Sequence, residues 1–296
     1  MPARRRFLLA LIATVTTVLL PVVRGCALDS DLVLAQAAPP ARIVSLVPSV
    51  TELLFAIGAG PQVVGVSSYD HEPPAVEKLP RVGALVDPDL ERLLALRPDL
   101  VVTYHSQSDL EQQLARAGVG TFAYAHGGIK ELFTSIGQVG AMSGHPKEAA
   151  ALASSLEGKL AAVRARSSGK PRPRVLLVFG REPLSLRGLY ASGGIGFLHD
   201  LVEIAGGEDV FSDITRESVQ ATAEMVLARR PDVILEIRAD PVEPALVSQE
   251  VAVWNALASV PAVRNHRVIF LTGSELVTPG PRIGTAAERI FAAINQ

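Results

Sequence analysis

The sequence predicts an α/β protein of two Rossmann-like lobes, each with a central, mostly parallel sheet, joined by one long α-helix. Short apolar segments rich in β-branched residues alternate with helical segments, which is typical of βαβ units. A twelve-residue pattern also occurs twice, 133 positions apart, and a long helical stretch lies between the two copies. Two copies that flank one helix favour two related lobes.

The individual elements follow one another at the spacing of such units. Each strand is a short buried-type run, and each helix ends near a glycine or a proline. The expected strands are 42–46, 63–66, 100–103, 121–124, 174–179, 233–237 and 268–271, and the expected helices of the first lobe are 50–57, 90–96 and 110–117.

The repeated pattern relates residues 91–102 to residues 224–235. Glutamate, leucine, alanine, arginine, proline and aspartate recur in the same register without a gap. The acidic residue suits the positive end of a helix dipole, and the proline forces the chain out of the helix before a buried strand. Each copy is therefore predicted to be a helix followed by a strand.

Residues 147–166 are predicted to form the helix between the lobes. They are rich in Ala, Leu, Lys, Glu and Arg and contain no proline. A helix of this length spans about 30 Å, which is the width of a small domain. A surface helix of a single domain stays open as the alternative. The predicted boundaries are a signal peptide and linker at 1–40, a first lobe at 41–144, the helix at 145–170 and a second lobe at 171–296.

Composition excludes several classes of protein. The chain has 296 residues, of which 48% are hydrophobic and 20% charged, as in ordinary globular proteins. A single cysteine excludes a disulfide framework or an iron–sulfur cluster held by one chain. Residues 1–25 carry four arginines and no acid, so the remainder has 24 basic against 30 acidic residues, a net charge of −6. That charge does not favour nucleic acid as a partner.

The N-terminus has the pattern of a secretory signal. Arg4–Arg6 precede an apolar run at residues 7–23, and small and polar residues follow. Cys26 lies in a sequence similar to a lipoprotein box, whereas Ala37 ends a conventional cleavage site. A lipid anchor on Cys26, cleavage after Ala37 and an uncleaved membrane anchor all remain open. Each places the folded domain in the periplasm or at the cell surface.

Five segments together resemble one protein family. The chain is similar to the substrate-binding proteins of bacterial ATP-binding-cassette importers, in the class with a rigid helix between two lobes. Members of this class bind cobalamin, ferric siderophores or haem, and residues 64–74 are most similar to the cobalamin-binding branch. The segments that carry the resemblance are 42–58, 64–74, 174–180, 201–211 and Pro281-Arg282, within a region of about 41–294.

The resemblance implies a non-enzymatic mechanism. A monomer would bind its small-molecule ligand (a corrinoid, a siderophore or haem) in the cleft between the lobes and then dock on a membrane permease, without a cofactor of its own. Glu91 and Glu224, which open the two repeat copies, match the carboxylates that dock on permease arginines in the cobalamin branch. The alternative from the residues alone is that each glutamate only suits a helix start.

Residues at strand ends are the candidates to contact the ligand, because open α/β sheets bind ligands there. Tyr69, Tyr104 and Phe179 match positions where the cobalamin branch places aromatic side chains, which suit a large planar macrocycle. Leu85 and Ser218 fall near positions where the cobalamin branch tends to carry tryptophan. The candidate ligand-binding residues are Tyr69, Asp70, His71, Leu85, Tyr104, His105, Phe179, Gly180, Arg181 and Arg238.

Metal binding and hydrolysis are two other chemistries that these residues could serve. His71, His105 and His126 follow strands and could bind a transition metal directly or ligate the metal of a chelate, although a polar loop role is the simpler interpretation. Ser192 and His199 could serve an extracytoplasmic hydrolase, yet no Gly-x-Ser-x-Gly motif surrounds a serine. No metal ligand and no catalytic residue is therefore predicted.

Overall fold

Two separate sheets organise residues 38–296, the part of the chain that the computed structural model describes. The first sheet has four parallel strands in the order β2-β1-β3-β4. The predictions about the signal peptide, Ala37 and Cys26 lie outside the described residues. The elements of the first lobe are β1 (Ile43–Ser45), α1 (Pro48–Ala56), β2 (Val63–Val66), α2 (Leu90–Ala95), β3 (Leu100–Tyr104), α3 (Ser108–Arg116), β4 (Gly120–Tyr124) and α4 (Ile129–Ser143).

One long helix, α5 (Pro146–Ser167), connects the two sheets. It packs along α4 of the first lobe and against helices of the second lobe. Its buried side chains Leu156, Leu160 and Val163 belong to one hydrophobic core that also contains Ile43 of the first sheet and Val233 of the second. The predicted helix is confirmed, and its continuous core braces both lobes.

The second sheet is mixed. Its strands have the order β10-β9-β5-β6-β8, and β7 pairs with the start of β5. Strands β5, β7, β9 and β10 are parallel, whereas β6 is antiparallel to both of its neighbours. The elements are β5 (Arg174–Gly180), β6 (Leu189–Ser192), α6 (Phe197–Ile204), β7 (Glu208–Asp209), β8 (Ser218–Ala221), α7 (Ala223–Arg229), β9 (Val233–Arg238), α8 (Pro244–Ala252), α9 (Pro261–Arg264), β10 (Val268–Thr272) and α10 (Ile283–Ile294).

The two copies of the sequence repeat also have the same local structure. Arg97 and Arg230 follow the ends of helices α2 and α7, and both have a positive φ, of 48° and 50°. The aspartate two residues later repeats its contact as well. The Asp99 carboxylate accepts from the Arg42 backbone amide at 2.9 Å, and the Asp232 carboxylate accepts from that of Arg174 at 3.0 Å. Each aspartate thus ties a repeat copy to the first strand of its own lobe.

Among residues 38–296, no helix combines the length and the apolar character that crossing a membrane requires.

Candidate functional site

A cavity of about 530 Å³ opens between the lobes. Its wall comes almost entirely from the second lobe, and His126 is the first-lobe residue that faces it. Most of the lining is apolar, with three charged or ionisable side chains among it. The lining residues are His126, Phe179, Ile195, Gly196, Phe197, Leu198, Glu217, Ser218, Arg238, Ala239 and Val277.

Ends of parallel strands supply one side of the cavity. Phe179 lies at the end of β5, Arg238 closes β9, and His126 follows β4. This placement follows from the topology, because parallel strands present their carboxyl ends at one edge of a sheet. The sequence prediction included Arg238 for this reason and Phe179 because of the family resemblance, and it named His126 as a strand-end residue.

Two loops of the second lobe supply the other side. The Gly194 amide donates to the Ile214 carbonyl oxygen at 2.8 Å, and a Cβ at Gly194 would overlap the carbonyl of Ser212. Glycine is thus required for the loop before α6 to approach the loop that leads to Glu217. The glycine-rich stretch therefore shapes the wall of the cavity and places Ile195 in it.

Aromatic rings connect the first lobe to this wall. Tyr104 and Tyr124 meet edge to face at 5.9 Å, Tyr124 meets His126 at 6.3 Å, and His126 meets Phe197 of the second lobe at 5.8 Å. Burial raises the pKa of Tyr104 to about 12, and it raises the pKa of Tyr124 as well. Both phenols are therefore neutral hydrogen-bond donors at physiological pH.

Phe179 and Tyr190 form a second aromatic pair. Their ring centroids are 6.5 Å apart and the planes are inclined by 35°. Phe179 packs partly against the core, whereas Tyr190 is 45% exposed. The pair offers flat apolar surface beside the cavity, and Tyr190 was not among the residues predicted from sequence.

Arg238 is the cationic group of the cavity. Its guanidinium donates to the Ile237 carbonyl oxygen at 3.0 Å and to the Glu236 carboxylate at 3.3 Å, and it lies 5.5 Å from the centre of the Phe270 ring. The Arg238 side chain is 24% exposed. The guanidinium is thus held in place but can still reach an anionic group in the cavity.

Arg181, which was predicted as a ligand contact, has a completely buried side chain. Its guanidinium makes two hydrogen bonds to Glu236, at 2.9 and 3.0 Å, and an ion pair with Glu250 at 2.7 Å. The Trp254 indole nitrogen also donates to Glu236. The structure therefore places Arg181 in a charged network inside the second lobe, and Gly180 beside Tyr190 on the neighbouring strand.

The loop after β2 separates three of the predicted residues. Tyr69 is 67% exposed, whereas Asp70 is fully buried. The Asp70 carboxylate accepts from the Ser67 backbone amide at 2.8 Å and from the Ser67 hydroxyl at 2.5 Å, and burial raises the pKa of Asp70. His71 points away toward Glu77, at 3.5 Å. Asp70 therefore stabilises the loop that presents Tyr69.

Leu85 and His105 lie at the same edge of the first lobe. The Leu85 carbonyl oxygen accepts from the Gln107 side chain at 2.9 Å, and Leu85 lines a separate cavity of about 380 Å³ between α2 and α3. His105 is exposed, and its backbone amide donates to the Tyr124 carbonyl oxygen at 2.9 Å. Neither residue lines the cavity between the lobes.

Glu91 and Glu224 occupy equivalent places in the two lobes. Each is the second residue of its helix, and each is exposed. Asp89 caps α2, and Thr222 caps α7. The hydrogen bond from the Thr222 side chain lowers the pKa of Glu224, so this exposed carboxylate is ionised at neutral pH.

The structure also places the residues that could serve metal binding or hydrolysis. Within 38–296, no three histidine, cysteine or acidic side chains form a group that could hold a metal ion. Ser192 is buried and donates to the Gly193 carbonyl oxygen at 3.1 Å, while the His199 imidazole lies 3.4 Å from Asp209. Burial raises the pKa of Asp209.

A sequence profile of one family matches most of the folded region. The family is described as periplasmic binding protein, and the match covers residues 43–275. This chain belongs to the periplasmic binding protein family. Periplasmic binding proteins are non-enzymatic components of transport and act outside the cytoplasm, as the sequence resemblance predicted.

Several named proteins and solved structures are similar to this periplasmic binding protein. It is 34% identical over 262 residues to the vitamin B12-binding protein of Salmonella typhimurium, which covers 88% of this chain and 91% of the relative. Among solved structures, the periplasmic vitamin B12-binding protein of Vibrio cholerae matches with a TM-score of 0.73 at 25% identity, over 87% of this chain and 97% of that one. The periplasmic heme-binding protein of Roseiflexus sp. RS-1 matches with a TM-score of 0.71 at 28% identity, over 85% and 97%. The two-lobe fold is thus common to these proteins.

Proposed function

We propose that this protein captures cobalamin or a related corrinoid outside the cytoplasmic membrane and delivers it to the permease of an ATP-binding-cassette importer. The observation that carries the proposal is the apolar and aromatic cavity between the lobes. Its support from relatives is the 34% identity to a protein named for vitamin B12. The ligand leaves the site chemically unchanged.

The shape and chemistry of the cavity suit a bulky ring system. Phe179 and Phe197 supply aromatic surface, Ile195 and Val277 supply aliphatic surface, and Arg238 supplies one positive charge. Ligand sites are typically apolar with a few polar groups that fix orientation. Tyr69 of the first lobe is largely exposed and offers a further aromatic face.

The two exposed glutamates support docking on a permease. Glu91 and Glu224 stand at matching positions of α2 and α7, so two similar lobes present similar carboxylates. A permease with two-fold symmetry can offer one arginine to each. An ion pair of this kind is worth little when exposed, but breaking a desolvated one across an interface costs about 2–5 kcal/mol.

We propose a monomer as the docking form and Cys26 as its point of lipid attachment.

Haem or a ferric siderophore is the second candidate ligand. The cationic Arg238 at the cavity favours it, because such chelates carry carboxylate or other anionic groups that pair with a guanidinium. A bare transition-metal ion is a weaker candidate, since residues 38–296 contain no group of three suitable ligands.

Equilibrium titration of the purified protein separates these ligands. We expect cobalamin to bind with a dissociation constant well below about 0.1 mM, which corresponds to about −5 kcal/mol. Haem and a ferric siderophore serve as the competing ligands in the same assay. Cobalamin binding weaker than that limit, together with tight binding of haem or the siderophore, would replace the corrinoid by the second candidate.

A further inference from the structure

Three histidines follow strands of the first lobe, and the structure separates their roles. His71 is 71% exposed at its side chain and faces Glu77. His105 is exposed and does not line the cavity between the lobes. His126 is also exposed, but it lines the cavity as the first-lobe residue of that wall.

The His126 imidazole is held in a defined orientation. Its ring meets Tyr124 at 6.3 Å with an interplanar angle of 66°, and it meets Phe197 at 5.8 Å with an angle of 87°. The two contacts come from different lobes, so the ring is fixed relative to both.

The imidazole nitrogens of His126 are available to bind a metal ion. Among residues 38–296, no protein atom makes a hydrogen bond or an ion pair with the His126 side chain. A neutral imidazole nitrogen carries a lone pair that binds cobalt, iron and similar ions, and histidine is the commonest metal ligand in proteins. The neighbouring wall is mostly apolar and aromatic, which suits the flat face of a chelate rather than a hydrated ion.

We propose that His126 binds the metal ion at the centre of a planar chelate in this cavity through an imidazole nitrogen. The proposal rests on the proposed function, since it assigns a ligating group for the same cargo. The nitrogen lone pair forms the new bond and one water molecule leaves the metal, so the oxidation state of the metal does not change. His126 then contributes both affinity and a preference for chelates with an exchangeable axial position.

Absorbance spectra of the complex with aquocobalamin test the assignment. In the wild-type protein we expect the visible bands of the corrin to shift as imidazole replaces water on cobalt. The His126→Phe variant keeps a ring between Tyr124 and Phe197, and we expect it to bind without the shift and about tenfold or more weakly, a change of about 1.4 kcal/mol. The His105→Phe variant is the matched control and should shift as the wild type does.

Cyanocobalamin completes the test, because cyanide holds its axial position. We expect it to bind to the wild type and to His126→Phe with similar affinity and no shift. Identical aquocobalamin spectra for the wild type and His126→Phe would overturn the ligation and leave the proposed function intact. Failure of the wild type to bind either corrinoid would overturn both.

Discussion

Glu52 of the first lobe and Arg282 of the second form an ion pair with two hydrogen bonds, at 2.7 and 2.9 Å. Glu52 lies on α1 and Arg282 immediately precedes α10, so the pair joins the lobes independently of α5. A second bond across the lobes joins Asp200 of α6 to the backbone amide of Ile129, at 2.7 Å. The relative position of the lobes is therefore fixed by polar contacts as well as by the helix.

Removing the charge of Glu52 is expected to destabilise the protein. The Glu52→Gln variant replaces one of the two acceptor oxygens that face Arg282 by an NH2 group, so one guanidinium nitrogen loses its partner, and we expect the free energy of unfolding to fall by about 1–3 kcal/mol. Chemical denaturation at neutral pH measures the change. Glu288→Gln is the matched control, because the Arg166–Glu288 pair is largely exposed and should contribute about 0–1 kcal/mol. Equal losses in both variants would contradict a special role for the pair between the lobes.

The buried carboxyl of Asp70 predicts a pH dependence of stability. Burial raises its pKa above the unfolded value, although hydrogen bonds from Ser67 partly offset this. A raised pKa means that the folded state binds the proton more tightly. The stabilising contribution is therefore complete below the unfolded pKa of about 4 and is lost as pH rises through the folded pKa.

Denaturation from pH 4 to 7 measures this effect. We expect the stability advantage of the wild type over Asp70→Asn to shrink as the pH rises through that window. Asp87→Asn, which changes an exposed side chain of the same lobe, is the control. A wild-type advantage over Asp70→Asn that does not vary with pH would contradict the assignment.

Arg181 and Arg238 were both predicted as ligand contacts, but substituting them should have different effects on stability and affinity. Arg181→Met removes the cation that pairs with Glu250 and the bidentate partner of Glu236 inside the lobe, and we expect it to destabilise the fold by about 3–5 kcal/mol. Trp254 is the only tryptophan and bonds to Glu236, so its fluorescence reports the network.

Arg238→Gln should cost less stability than Arg181→Met, because Glu236 keeps its two hydrogen bonds from Arg181, and it should alter ligand affinity, because Arg238 is partly exposed in the cavity. The same denaturation and ligand-titration assays apply to both variants. A stable Arg181→Met protein with reduced affinity would show that Arg181 contacts the ligand after all.

The docking proposal predicts a separation of binding from transport. We expect Glu91→Ala combined with Glu224→Ala to bind ligand as the wild type does, since neither side chain lines the cavity. Uptake through the permease should fall, because each lobe loses the carboxylate that meets an arginine. Glu288→Ala offers an exposed glutamate as the control. Undiminished uptake by the double variant would remove the docking assignment.

Parallel strands and the connecting helix were predictable from sequence because their signals are local. Residues 63–66 were predicted as a strand and form β2, and the predicted helix at 147–166 lies within α5. The Pro-Asp units at 98–99 and 231–232 end helices through the fixed geometry of proline. Each of these depends on residues close together in the chain.

Other features depend on partners that are distant in sequence. Strands β6 and β8 are only four residues each, too short for a clear pattern, and they were not predicted; helix α4 was not predicted either. Arg181 stands at a strand end, but Glu236 and Glu250 draw its side chain inward from 55 and 69 positions away. Ile195 and Glu217 reach the cavity because the glycine backbone lets their two loops pack closely against each other. Their signal in the sequence was the glycine-rich stretch before α6.

Calorimetric titration with cobalamin of the wild type and of the Ala239→Trp variant tests the central claim most directly. Ala239 is an exposed residue that lines the cavity, so tryptophan there should fill the space without disturbing the core. The account predicts one cobalamin per wild-type chain and no measurable binding by the variant, with unchanged stability of the fold. Equal binding by both proteins would contradict it, because the ligand would then lie outside the cavity between the lobes.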